Sequence, residues 1–285
     1  MHDDIEEHWD LIILPKNRLF NLPLRELWRY RDLMLLFVKR DFTAQYKQTI
    51  LGPLWHFINP LFTTITYTII FGNIAQLSTD GTPRLIFYMS GITLWNFYSS
   101  TTTTTGSTFT QNAAIFGKVY FPRLIAPLAT VISLMIDLSV HIVTLTGFVI
   151  YFKSQGHLEN MQWINLIYLP LVVLLTAGFG LGTGTIISAL TTKYRDLTVF
   201  TSLGINLLMF ATPVIYPFSS IRGPYRVYLE WNPISPLIEC YRFIFTGTGT
   251  FSAASLAYST GMMILLLLTG LLLFNRVEKT FMDTV

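Results

Sequence analysis

The sequence predicts an all-α membrane protein: six transmembrane helices, an N-terminal amphipathic interfacial helix, and outer re-entrant helices before the last span. Three observations carry this. Of 285 residues, 52% are hydrophobic and only 12% are charged, half the roughly 25% of a soluble domain. Such a chain has too few charges to coat a water-exposed surface, which argues against an ordinary soluble enzyme or a disordered protein. The charges it has are gathered between long uncharged stretches. The basic residues among them fall mostly on one side.

The uncharged stretches are 48–79, 85–117, 160–192, 197–221 and 243–275, with 124–152 interrupted only by Asp137. A spanning helix needs about 20 largely apolar residues, so each stretch accommodates one. The expected spans lie near 55–75, 84–108, 124–152, 164–190, 198–217 and 257–275. The second is the least apolar because Ser99–Thr105 is a hydroxyl run. Such hydroxyls are tolerated at membrane depth because they bond to carbonyls of the preceding turn.

An even number of spans places both ends on one side. Lys16, Arg18, Arg25, Arg29, Arg31, Lys39, Arg40, Lys47, Lys118, Arg123, Lys193, Arg195, Arg276 and Lys279 fall on that side, against Arg84, Lys153, Arg222, Arg226 and Arg242 on the other. The basic excess assigns the first side, and both termini, to the cytoplasm. Met1–Asp10 is charged and lacks the apolar core of a secretory signal. The single cysteine, Cys240, excludes an intrachain disulfide and a Cys-based zinc site. The net charge of +3 is no nucleic-acid footprint.

Two segments are expected not to span. In 24–42, Leu24, Leu27, Trp28, Met34, Leu35, Val38 and Phe42 share a helical stripe, with Arg25, Arg29, Asp32, Lys39 and Arg40 beside or opposite it. Arg31 intrudes, and Leu36 and Phe37 sit outside the stripe. This reads as an amphipathic helix in the cytoplasmic interface, the alternative being a helix packed on a partner protein. The chain thus divides into a cytoplasmic segment, 1–50, and a six-span domain, 51–285. In 218–255, Pro224, Pro233, Pro236, Gly247 and Gly249 punctuate short apolar runs, a pattern suited to re-entrant helices covered by protein.

No GxxxxGK[ST] loop occurs, so nucleotide hydrolysis by that route is not expected in this chain. The cluster Gly178, Gly180, Gly182, Gly184 sits inside an apolar span at four-residue spacing, the pattern of closely packed helices. Asp137 and His141 lie one turn apart on the third span. A lone intramembrane acid suits a polar contact between helices better than a proton relay, which uses a chain of such groups. His2, His8, His56 and His157 show no metal-ligand spacing, and no catalytic residue or metal site is expected. Glu239 and Arg242, three apart, can form a local pair. Trp55, Trp95, Tyr98, Trp163, Tyr225 and Trp231 fall near expected membrane edges, as in an aromatic belt. The sharper reading makes Trp55, Phe57, Tyr67, Trp95 and Tyr98 candidates for a path along which sugar rings stack.

The run Lys39-Arg40-Asp41-Phe42-Thr43-Ala44-Gln45-Tyr46-Lys47-Gln48-Thr49-Ile50-Leu51-Gly52-Pro53-Leu54-Trp55, followed by Asn59-Pro60-Leu61, resembles the signature of ABC-2 type polysaccharide exporter permeases. The O-antigen, teichoic-acid and capsule exporters share it. Lys193-Tyr194-Arg195-Asp196-Leu197 resembles that family's connection between the fourth and fifth spans. Asn232-Pro233-Ile234-Ser235-Pro236 resembles its N-P-x-x-P segment. The resemblance runs from about Leu24 to the end. It implies a homodimer of six-span subunits in a prokaryotic plasma membrane, with two copies of a separate ATPase that holds the ATP and magnesium. The implied cargo is a polysaccharide carried on a polyprenyl diphosphate. It further implies that 112–122 is the coupling helix docking on the ATPase, through Ile115, Phe116, Lys118, Val119, Tyr120, Phe121 and Arg123. Apolar side chains there can fill a groove while cations sit at its rim.

Arg31, Lys39, Arg40 and Lys47 are candidates to attract the lipid diphosphate, since cationic side chains bind phosphate as forks or point charges. The positive-inside excess explains them equally well. Two other readings remain: an ABC-2 exporter of drugs or small lipids, and an integral membrane transferase acting on polyprenyl-linked glycans. The second needs ionisable residues converging at one face, whereas Asp137, Asp196 and Glu239 are expected at different depths. A secondary transporter would carry inverted repeats, and none is evident.

Overall fold

The computed structural model describes residues 24–47, 50–194, 196–250 and 252–284. The charged start, Lys16 and Arg18, Gln48 and Thr49 of the signature run, and Arg195 lie outside the described residues. Among those described the chain is helical throughout, with no strand. The helices are α1 (Leu24–Arg29), α2 (Arg31–Tyr46), α3 (Trp55–Tyr67), α4 (Arg84–Gly106), α5 (Thr108–Phe116), α6 (Ile125–Ser154), α7 (Leu169–Thr191), α8 (Leu197–Phe210), α9 (Tyr225–Trp231), α10 (Ser235–Thr246) and α11 (Ala253–Thr284). α3 continues as a wide π-helical segment, Thr68–Ile74.

Four segments are long and apolar enough to cross a membrane: Trp55–Ile74, Ile125–Ser154, Trp163–Thr191 and Ala253–Glu278. The other two expected spans depart from that standard for different reasons. α4 has 23 residues, which is length enough, but its threonine run makes it less apolar. Every residue from Ile86 to Tyr98 except Asn96 is buried, so this stretch faces protein nearly all round; of the hydroxyl run, Thr101, Thr102 and Thr105 are buried and Thr103 is exposed. α8 stops at Phe210 after 14 residues, about 21 Å of helix. The expected span to 217 is broken by a turn at 211–216, where Pro213 cannot continue the ladder.

α7 is the central helix, packed between α4 and α11. Its glycines serve two faces. A β-carbon at Gly180 would lie 2.5 Å from Thr101 Cγ2 of α4, and one at Gly184 would lie 2.5 Å from Thr105 Cβ. On the other face, a β-carbon at Gly182 would lie 2.8 Å from the Leu267 backbone nitrogen of α11. The four-residue spacings therefore mark two interfaces, one for each neighbour. Across the first, Thr102 and Thr183 share a 3.0 Å hydrogen bond, and Thr191 donates to the Gly106 carbonyl. Thr103 bonds back to Ser99, but the buried hydroxyls of Thr101 and Thr105 have no partner among the described residues.

The segment 24–46 differs from the single stripe expected. It is two helices broken at Tyr30. Phe37, expected off the stripe, is buried with Val38 in a cluster with Phe109, Phe116, Phe121, Leu124 and Phe274. Trp28, Leu35 and Phe42, expected on it, are exposed. The seven-residue spacing of these three sets a second apolar face opposite the first. The segment meets its own protein on one side and leaves the other side open, which one hydrophobic stripe could not reveal.

Candidate functional site

Three places gather polar or docking groups. The first is a cavity of about 450 Å³ between α3, α4 and α6. Asp137 and His141, one turn apart on α6, both line it, and each engages His56. Asp137 Oδ1 lies 3.4 Å from His56 Nε2, and His141 Nε2 lies 3.1 Å from the His56 carbonyl. His56, which sequence spacing left without a role, is the hub that ties α6 to the start of α3. Only the tertiary fold brings position 56 to positions 137 and 141. Among the described residues no His, Cys, Asp and Glu group could hold a metal ion.

Of the aromatic path candidates, Trp55 lines this cavity and Phe57 is exposed. Trp95 and Tyr98 are core residues, 3% and 4% exposed, with their rings 5.5 Å apart. Tyr67 packs on Phe71 at the edge of the same core. Trp95 and Tyr98 are thus covered by the chain's own core. Trp163, Tyr225 and Trp231 do stand exposed.

The second place is the turn after α5. Phe116 and Phe121 point inward, 5.7 Å apart, and Phe121 meets Phe37 of α2. Arg123 donates to the Glu278 carbonyl of α11 at 2.6 Å and lies over the Phe116 ring. Burial lowers its pKa from the ordinary guanidinium value, and the Glu278 charge opposes that shift. Ile115 is half-buried. The exposed tip is Lys118, Val119 and Tyr120, the last 72% exposed. Of the seven residues expected to dock, these three form the free surface, while Phe116, Phe121 and Arg123 anchor it to α2 and α11.

Among the cations on α2, Arg40 is engaged. It contacts Asp41 at 2.8 Å, donates to Asn112 Oδ1 of α5 at 3.1 Å and lies 4.3 Å from the Phe37 ring centre. It ties α2 to α5. Arg31 lies 3.8 Å from Asp32, and Lys39 and Lys47 are exposed.

The third place surrounds α10. Glu239 and Arg242 form the local pair, at 2.6 Å, with side chains 4% and 2% exposed. Arg242 reaches further than its spacing foretold. Its Nη2 donates to the carbonyls of Pro213 and Val214, and its guanidinium lies 3.8 Å from the Phe87 ring centre. The turn that breaks α8 is thereby satisfied from α10, as buried irregular backbone must be. Gly91 of α4 lets the turn approach, since a β-carbon there would meet the Val214 oxygen at 2.7 Å. α10 ends on Gly247 at φ +69°, a left-handed cap where a side chain would also strike the Asn160 backbone.

These features define a helical, multi-span membrane protein in which the turn after α5 is braced from two sides and tipped with the exposed Val119 and Tyr120. The chain belongs to the ABC-2 type transporter family, whose model matches residues 32–246. It is 30% identical over 253 residues to the "O-antigen export system permease protein RfbA" of Klebsiella pneumoniae, covering 88% of this chain and 94% of that one. It is 27% identical to the protein of the same name from Myxococcus xanthus, over 92% and 98% of the two chains. The "Polysialic acid transport protein KpsM" of Escherichia coli is 22% identical over 86% and 93%.

Proposed function

We propose that this chain is the permease subunit of an ABC exporter that moves a lipid-linked polysaccharide, of the O-antigen kind, across the plasma membrane. The observation that carries the reading is the full-length similarity to O-antigen export permeases in a chain that belongs to the ABC-2 family. Energy comes from ATP and magnesium held by two copies of a separate ATPase, and the permease works as a homodimer. Each subunit crosses six times with both termini in the cytoplasm. α4 serves as the protein-covered second span, and α8 with its turn serves as the fifth. α9 and α10 dip from the outer side. α8 leaves Val199, Phe200, Leu203, Leu207 and Phe210 exposed, an apolar stripe that suits lipid or the second subunit.

The braced turn transmits the stroke. ATP-driven closure of the partner pushes on Lys118, Val119 and Tyr120. Phe116, Phe121 and Arg123 carry the displacement to α2 and α11, and two subunits shift as bodies to open a path. Lys39 and Lys47, with Arg31, attract the lipid diphosphate at the interface. Arg40 is better read as a strut between α2 and α5.

The test is purification of the chain in mild detergent from its own cells, with mass spectrometry of what accompanies it. A stoichiometric P-loop ATPase and a polyprenyl diphosphate glycan are expected. An ATPase accompanied only by small amphiphiles overturns the cargo. A folded preparation with no ATPase overturns the whole reading.

A further inference from the structure

The cavity between α3, α4 and α6 has a chemistry that helix packing does not explain. In the stretch Ile86–Tyr98 of α4, Asn96 is the single residue that is not buried, and it lines this cavity. Asn59 of α3, also exposed, lines it from a second helix. Neither side-chain amide is hydrogen-bonded among the described residues. Two open amides at membrane depth are costly unless water or a polar ligand meets them. Ser100, Asp137 and His141 add further polar groups, and Trp55 adds an aromatic surface. No lysine or arginine lines the cavity, and the imidazoles of His56 and His141 share it with the Asp137 carboxylate, so a phosphate or diphosphate has no fixed counter-charge there. The volume of about 450 Å³ falls within the 300–1,000 Å³ range of ligand pockets.

We infer that this cavity is a binding site for a neutral sugar ring. It rests on the polysaccharide reading above and adds where one residue of the glycan is held and which sugars are refused. Each asparagine amide both donates and accepts, which suits vicinal hydroxyls. The Asp137 carboxylate accepts from a hydroxyl but repels a second carboxylate. The site therefore takes neutral sugars and refuses acidic ones such as uronates.

The test uses the full chain in lipid nanodiscs, prepared without glycoside detergents, which would compete. Saturation-transfer NMR is recorded with methyl α-D-glucopyranoside, methyl N-acetyl-β-D-glucosaminide and methyl β-D-glucuronide as probes. Transfer to at least one neutral glycoside and none to the glucuronide is expected. Asn96→Leu should weaken that binding up to about tenfold, the worth of a lost hydrogen bond, at an unchanged thermal midpoint. If Asn96→Leu lowers the midpoint, Asn59→Leu provides the same readout from another helix. Asp137→Asn should admit the glucuronide. No transfer to either neutral probe overturns the inference, as does transfer that Asn96→Leu and Asn59→Leu leave intact. Failure here with ATPase and glycan still co-purifying overturns the site alone. Success here with no ATPase overturns the exporter reading and keeps the sugar site.

Discussion

Arg242 donates a 2.6 Å hydrogen bond to Glu239 one turn earlier, and the same guanidinium closes the carbonyls of the turn that ends α8. One buried ion pair therefore holds three elements: α10, the 211–216 turn and, through Phe87, α4. Glu239 in turn accepts from the Thr250 backbone amide, which fixes the approach to α11.

Removing one partner leaves the other buried and uncompensated, at a cost of about 3–5 kcal/mol. Arg242→Met should lower the thermal midpoint of the detergent-solubilised protein sharply, and Glu239→Gln should do so by a smaller amount because an amide still accepts. Arg242→Met with wild-type stability would show that the turn closes without the guanidinium.

The two faces of α7 make a positional prediction. Gly184→Val should destabilise by about 1–3 kcal/mol through overpacking against Thr105. Gly147→Ala on α6, where a β-carbon meets nothing within 4 Å, should not destabilise, since alanine suits a helix interior better than glycine. The pair of unfolding midpoints checks it. Equal effects at the two sites would contradict the close approach of α4 and α7.

The turn after α5 separates docking from anchoring. Tyr120→Asp should abolish co-purification of the ATPase while leaving the permease midpoint unchanged, since that side chain is open. Phe121→Ala should destabilise the permease by about 3–5 kcal/mol of core loss and lower its midpoint, with ATPase binding falling only as folded protein is lost. A Phe121→Ala protein that is stable yet fails to bind ATPase would assign Phe121 to the docking face.

The cations of α2 should separate in the same way. Lys39→Glu should weaken lipid-glycan-stimulated ATPase activity more than basal activity. Arg40→Ala should lower both together, because it removes the strut to Asn112 and not a free charge. Steady-state ATPase rates with and without the purified lipid-linked glycan decide between these outcomes.

Much of this was legible in the order of residues. Uncharged stretches located the helices, because a lipid-facing helix must be apolar along its whole length. The glycine spacing announced close packing, because only a missing side chain lets backbones approach. The i, i+3 spacing of Glu239 and Arg242 announced their pair, because a helix turn brings such residues together.

Tertiary structure decided the rest, where the relevant distance spans the chain. His56 joins Asp137 only when α3 lies beside α6. Arg242 reaches Pro213 from 29 positions away. Trp95 and Tyr98 proved to be core residues and Asn96, between them, proved to be open. Periodicity ranks positions on one helix, but which neighbour covers each face depends on how the helices pack. For a helix that meets protein on nearly every side, as α4 does, hydrophobicity alone cannot tell the face that meets protein from the face that meets a cavity.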